Sequence, residues 1–184
     1  ERQDLRRVDS ILRQAVVVRK LYDNIVSYLS SLFSSGSMTE EQATQTAGMM
    51  YILSDIERTD ALCTEATESL QSILEKKHKL SPEAVEDLCR GLQIIEDMYQ
   101  NVLEVIRTGN GEDARKIVHK KDNVLDLTLK LRKNHMKRVK QGACDAEMTS
   151  DFTRILHSFD RIGNSCANIA DAALTGVSFE SVLK

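Results

Sequence analysis

At 184 residues the chain is long enough to bury one core, or two small bundles packed together, and its 41% apolar and 29% charged residues fit a globular protein. A single Pro, eight Gly and 4% aromatic residues leave few helix breakers and little sheet character, so composition favours an all-α fold. The net charge of −3 gives no footing for nucleic-acid binding, and no run of about 18 apolar residues is available to span a membrane.

Five long segments carry apolar residues at steps of three and four, the signature of helices that bury one face. The first, residues 2–34, has Val8, Ile11, Ala15, Val18, Tyr22, Ile25, Leu29 and Leu32. The second, 39–77, places Met49, Leu53, Ile56, Cys63, Leu70 and Leu74 on one stripe. The third, 82–108, repeats the rule with Val85, Leu88, Leu92, Ile95, Tyr99, Val102 and Ile106. The fourth, 112–141, uses Ala114, Ile117, Val118, Val124, Leu125 and Leu131, and the fifth, 146–175, has Phe152, Ile155, Phe159, Ile162, Cys166, Ile169 and Ala173.

The breaks have local causes. Ser34-Ser35-Gly36-Ser37 ends the first segment, and Thr39 with Gln42 forms a capping box for the second. Ser81 can cap the third, with Pro82 in the first turn, where a missing N–H costs nothing. Gly109-Asn110-Gly111 separates segments three and four, and Gly142 precedes segment five. Such short connections make successive helices antiparallel neighbours, an up-and-down bundle. Cys63, Cys89, Cys144 and Cys166 show no CxxC pairing, which favours free thiols in a reducing cytosol. The chain opens at Glu1 already in helical pattern, which reads as a fragment of something longer.

Two polar ladders stand out. On segment five, His157, Asp160, Asn164, Asn168 and Asp171 follow at three- and four-residue steps beside the apolar stripe. On segment two, Asp60 falls within the stripe between Ile56 and Cys63, with Glu57 and Glu65 nearby. A carboxylate at an inner position needs a partner, because an unpaired buried charge costs several kcal/mol or shifts its pKa. Arg58 and Arg161 sit next to Glu57 and Asp160, so a structural Arg–carboxylate network, with Asp171 included, is one reading. A metal site of oxygen ligands from Glu57, Asp60, Asp160 and Asn164 is the other. Spacing alone favours the network, since helical carboxylates mostly face solvent or pair with Arg. His157 could join a site, although a lone His is more often simply hydrogen-bonded.

Segment four ends in Lys130, Arg132, Lys133, Lys137, Arg138 and Lys140. The bland reading is a solvated helix end whose cations suit the C-terminal dipole, worth roughly 0.3–1 kcal/mol each. The functional reading is attraction to anionic lipid headgroups or an acidic partner, about 1 kcal/mol per residue near a membrane. Few aromatics are interleaved, which ranks nucleic acid below both. No Gly-rich phosphate loop or Ser-His-Asp arrangement is present, so the chain does not read as an enzyme.

At the ladders the sequence resembles the PhoU family of phosphate-regulatory helical proteins, whose repeated signature runs approximately D-L-E-R-I-G-D-H-A-x-N-I-A-E. Phe159-Asp160-Arg161-Ile162-Gly163-Asn164-Ser165-Cys166-Ala167-Asn168-Ile169-Ala170-Asp171 matches much of it, and Asp55-Ile56-Glu57-Arg58 opens a second, decayed copy. Gly111 to Val118 is similar to the family's "xxLAREVI" helix start. Lys133 to Cys144 resembles the "RxxHLxRLxxGxC" passage of one subgroup, the PhoU-like cytoplasmic domain at the C-terminus of bacterial sodium/phosphate cotransporters.

The resemblance implies a single PhoU-like domain over residues 1–184, duplicated into halves of about 1–77 and 80–175, with the first of six helices missing or upstream of Glu1. It implies a non-catalytic regulatory or accessory domain at the cytoplasmic face of the membrane, modulating sodium-dependent phosphate transport through contacts with the transmembrane part of the same or a partner transporter. A homodimer and a membrane-surface contact through the basic end of the fourth helix are further expected partners; nucleic acid is not. The alternative is a stand-alone PhoU-type metal-binding adaptor that represses phosphate uptake and signalling, and a metal-dependent hydrolase or metal carrier ranks third. The family associates metal binding with an acid and an Asp four residues on. Here those pairs are Asp160 with Asn164 and Glu57 with Ala61, so the expectation is a single weakly held divalent ion or none.

Overall fold

A computed structural model describes residues 2–174, with side chains described from Arg6 onward. Thr175, where the fifth segment was expected to close, lies outside the described residues, as does Glu1. The described residues form five long helices and no strand: α1 (Arg2–Ser34), α2 (Glu40–Glu75), α3 (Pro82–Thr108), α4 (Gly111–Lys140) and α5 (Thr149–Leu174), the last preceded by a 3-10 turn at Ala146–Met148. Fold class and element order match the sequence reading.

The punctuation also acts as expected. Thr39 and Gln42 exchange the two bonds of the capping box, Gln42 N–H to Thr39 Oγ1 at 3.2 Å and Thr39 N–H to Gln42 Oε1 at 2.9 Å. Ser81 Oγ accepts from Ala84 N–H, with Pro82 in the first turn. Gly109 ends α3 with φ of 67°, a left-handed conformation that glycine adopts without a Cβ penalty.

Partner contacts fix the packing directions. Asp55 meets Asn168 and Ser72 meets Asp151, so α2 runs antiparallel to α5. Asp87 meets Arg138 across α3 and α4, and His135 meets Thr149 across α4 and the start of α5. α5 is the central element, packed on α2, α3 and α4. Phe152, Ile155, Leu156, Phe159, Ile162, Cys166 and Ile169 are all buried on it. Two glycines set the close approaches. A Cβ on Gly91 would stand 2.7 Å from the Phe159 ring, and one on Gly163 would stand 3.3 Å from Val124.

The stripe of α5 is placed as its sequence indicates, but those of the other helices need correction. On α2 the buried positions are Thr46, Ile52, Asp55, Thr59, Leu62, Ser69 and Ile73, while Met49, Leu53, Ile56 and Leu74 are half-buried and Cys63 and Leu70 are exposed. The cause is that α2 lies between two helices. Its face toward α5 mixes Ile52, Leu62 and Ile73 with the polar Asp55, Thr59 and Ser69, and the apolar arc containing Leu53 and Ile56 lies on the side of Glu57, which meets α1. On α3, Ala84, Asp87, Gly91, Met98 and Val105 share the inner face with Ile95 and Val102, leaving Val85 and Leu92 exposed. Ile11 and Ile25 on α1 and Leu125 on α4 are likewise exposed.

Candidate functional site

Three groups of polar side chains tie the helices together. The first lies along α2 and α5. Asp55, 4% exposed, and Asp151, 8% exposed, are the buried acids of this seam, and Asn168 Nδ2 donates to Asp55 Oδ1 at 3.4 Å. Toward the other end Ser72 Oγ donates to Asp151 Oδ2 at 2.8 Å, and Arg154 reaches Glu65 at 3.9 Å. A buried carboxylate is costly unless hydrogen-bonded, and here each one reaches a donor on the facing helix.

The second group joins α1 to α2. Arg19 donates to Glu57 in an ion pair. Asp60 stands beside them, half-buried, and burial raises its pKa; the Arg19 cation opposes that shift and the Glu57 anion adds to it. The inner carboxylate is therefore Asp55 rather than Asp60, because α2 turns Asp55 onto α5.

The third group closes one end of the molecule. His135 on α4 is fully buried, stacked on Phe152 with ring centroids 4.1 Å apart, and its Nε2 lies 3.2 Å from Thr149 Oγ1. Burial lowers its pKa, and the nearby Arg138 cation lowers it further. Arg138 donates to Asp87 at 2.8 Å in an ion pair whose side chains are 12% and 11% exposed. Beside it the 78–81 and 142–145 loops are bound together. Lys79 N–H donates to Asp145 Oδ2 at 2.7 Å, Asp145 N–H to the Lys79 carbonyl at 3.1 Å, and Ser81 N–H to Cys144 Sγ at 3.5 Å. Gly142, with φ of 68°, makes the turn that brings Cys144 under Ser81.

The candidate residues read from the sequence fall in different places. Glu57 and Asp60 sit at the α1–α2 contact, Asp160 is half-buried on α5, and Asn164 is exposed with its side chain donating to the Asp160 carbonyl at 3.0 Å. Among the described residues no group of three or more His, Cys, Asp or Glu side chains is gathered where it could hold a metal ion. Arg58, Arg161 and Asp171 are exposed, and the ion pairs between helices among the described residues run instead through Arg19, Lys76, Arg138 and Arg154. His157 is exposed, whereas His135 is the histidine inside. All four cysteines are free, and burial pushes the Cys166 thiol up to about 12, so it is a packing residue.

The family profile of the PhoU domain matches residues 88–173, from the first turns of α3 to the end of α5. This segment is a PhoU domain. It contains the whole of α4 and the Asp160–Asp171 signature, and the PhoU match begins one residue after Asp87. No curated protein matches the chain. A PhoU domain points to a regulatory role connected with phosphate. No helix among the described residues is long and apolar enough to cross a membrane.

Asp87, His135 and Arg138 were not singled out as a site from sequence. The signal was present in α4, where Val124, Thr128, Leu131, His135 and Arg138 follow at steps of four and three on the buried side. Arg138 therefore does not belong to the solvated basic face, because its register carries it inward to Asp87.

Proposed function

We propose that this chain is a non-catalytic regulatory domain of a sodium-dependent phosphate cotransporter, acting at the cytoplasmic face of the membrane and biasing transport through helix contacts. The PhoU domain at 88–173 supports the phosphate-related role. The transporter-linked form is supported by the passage from Lys133 to Cys144, whose resemblance to the cotransporter subgroup falls on residues with defined structural tasks. His135 stacks under Phe152, Arg138 pairs with Asp87, Gly142 makes the turn, and Cys144 receives the Ser81 N–H. That passage is the observation that carries the reading.

The polar groups at the helix seams bind helix to helix, which suits a rigid adaptor better than a reaction centre. Glu57 is committed to Arg19 and Asn164 carries no charge, so under this reading the chain holds at most one weakly bound divalent ion. Among the described residues α1 carries more exposed large apolar side chains than any other helix, including Val16, Val17, Leu21 and Tyr28, and its outer side is the surface suited to helix contacts with the transporter.

Replacing the coding segment for 2–174 by a flexible linker in the source cell, then measuring labelled phosphate uptake, tests the proposal. Uptake that stays sodium-dependent but changes several-fold in its response to external phosphate is the expected result. Unchanged sodium-dependent uptake would contradict it, and an effect confined to sodium-independent uptake would favour a stand-alone adaptor.

A further inference from the structure

The C-terminal half of α4 carries a concentration of charge that the rest of the chain leaves uncompensated. Between Leu127 and Cys144 there are six Lys and Arg and no Asp or Glu. Arg138 is taken inward by Asp87. Lys130, Arg132, Lys133, Lys137 and Lys140 are all exposed, and none is in an ion pair with a described residue. At the other end of the same helix Lys116 is paired with both Glu112 and Asp113.

Apolar side chains lie within this basic surface. Leu129, Lys133, Met136 and Lys140 follow at steps of four, three and four, so they share one face, and Leu125 extends it by a turn. Leu125, Leu129 and Met136 are 44%, 52% and 41% exposed. The opposite face is spent on the core through Val124, Thr128, Leu131 and His135. Single exposed apolar side chains are ordinary on a protein surface, but three of them sharing a face with cations unpaired among the described residues make an amphipathic patch. A helix lying on an anionic bilayer uses such a patch, because the ammonium and guanidinium heads reach the headgroup phosphates while apolar side chains enter the acyl boundary. Single-stranded nucleic acid would want aromatic platforms, and α4 contains no Phe, Tyr or Trp.

We propose that this face of α4 docks on an anionic phospholipid surface, with Lys130, Arg132, Lys133, Lys137 and Lys140 over the headgroups and Leu125, Leu129 and Met136 at the acyl boundary. Asp122 marks the N-terminal limit of the footprint, and Asp126 is the one carboxylate between Leu125 and Lys140. The docking rests on the surface of α4 alone, so its failure would leave the phosphate-regulatory reading standing.

The test is co-sedimentation of the 184-residue chain with vesicles of phosphatidylglycerol and phosphatidylcholine, against vesicles of phosphatidylcholine alone. Binding at least roughly tenfold tighter to the anionic vesicles is expected, weakening steeply between about 0.1 M and 0.5 M salt. Replacing all five exposed cations by Gln should abolish the preference. L129S/M136S should weaken binding several-fold with the salt dependence retained, and a helical spectrum and cooperative melt for both variants would exclude unfolding as the cause. Equal binding to both vesicle types, or binding indifferent to the five cations, would overturn the proposal. So would tight binding of polyglutamate without vesicle binding, which would assign the face to an acidic protein.

Discussion

In the half built from α3, α4 and α5 each helix packs on both of the others, whereas α1 packs on α2 and makes no comparable contact with α3, α4 or α5. The primary sequences of the two regions do not announce this difference, since α1 and α3 both repeat apolar residues at steps of three and four. The outcome is nevertheless unequal. α3 buries Ile95, Met98, Val102 and Val105 to 5% exposure or less, while α1 leaves Val16, Val17 and Leu21 more than half exposed. The ion pairs differ in the same sense, for Arg138–Asp87 is enclosed at 12% and 11% exposure and Arg19–Glu57 is open at 58% and 27%. Periodicity specifies that a helix will bury a face; the number of neighbours determines how much is buried and what an ion pair there is worth.

The sharpest test of that contrast is to remove one partner from each pair. Asp87→Ala strands the Arg138 cation inside the closed half, and a loss of about 3–5 kcal/mol in urea-denaturation stability is expected. A loss below about 1 kcal/mol would mean that Arg138 escapes to solvent and that this end is loosely built. Next comes Gly91→Ala, which sets a Cβ 2.7 Å from the Phe159 ring. Displacing that ring should cost about 1–3 kcal/mol by the same measurement, with partial recovery in Gly91→Ala/Phe159→Leu.

His135 sharpens the comparison through pH. Burial and Arg138 hold its pKa below the ordinary 6.5, so as pH falls the unfolded chain takes up this proton before the folded one. The stability linked to His135 is therefore intact above about pH 6.5 and declines below it. The melting temperature of the native chain should fall more steeply than that of His135→Gln between about pH 7 and 5.5, and parallel curves would contradict the burial argument. The smallest effect belongs to the open pair, where Arg19→Ala should cost under about 1 kcal/mol once solvent screening is counted.

Much of this architecture could be read in advance for reasons that are local. Thr39, Ser81, Pro82, Gly109 and Gly142 govern bonds within a few residues of themselves, so helix ends were legible. The stripe of α5 was legible because that helix is buried over most of its circumference, so its apolar positions are inside whichever neighbour they face. α2 was misread because it packs on two helices, and its buried side toward the central helix interleaves Asp55, Thr59 and Ser69 with Ile52, Leu62 and Ile73, while the more uniformly apolar stripe is only half-buried. The end cluster was missed for a different reason. Asp87, Arg138 and Phe152 are far apart along the chain, and nothing short of the packing of α3 on α4 and α5 brings them together. The signature Asp160–Asp171 could be recognised as a pattern, yet the buried acids of the α2–α5 seam are Asp55 and Asp151, which lie outside it.

Native-state hydrogen exchange resolved by helix tests the central claim, that α1 is supported on one side only, by α2, outside the closed packing of α3, α4 and α5. Amides of α5 around Leu156 to Ile169 should exchange only through global unfolding, while α1 amides around Val16 to Leu21 should open at a distinctly lower free energy. Exchange of α1 with the same free energy and denaturant dependence as α5 would show one cooperative unit and contradict the account.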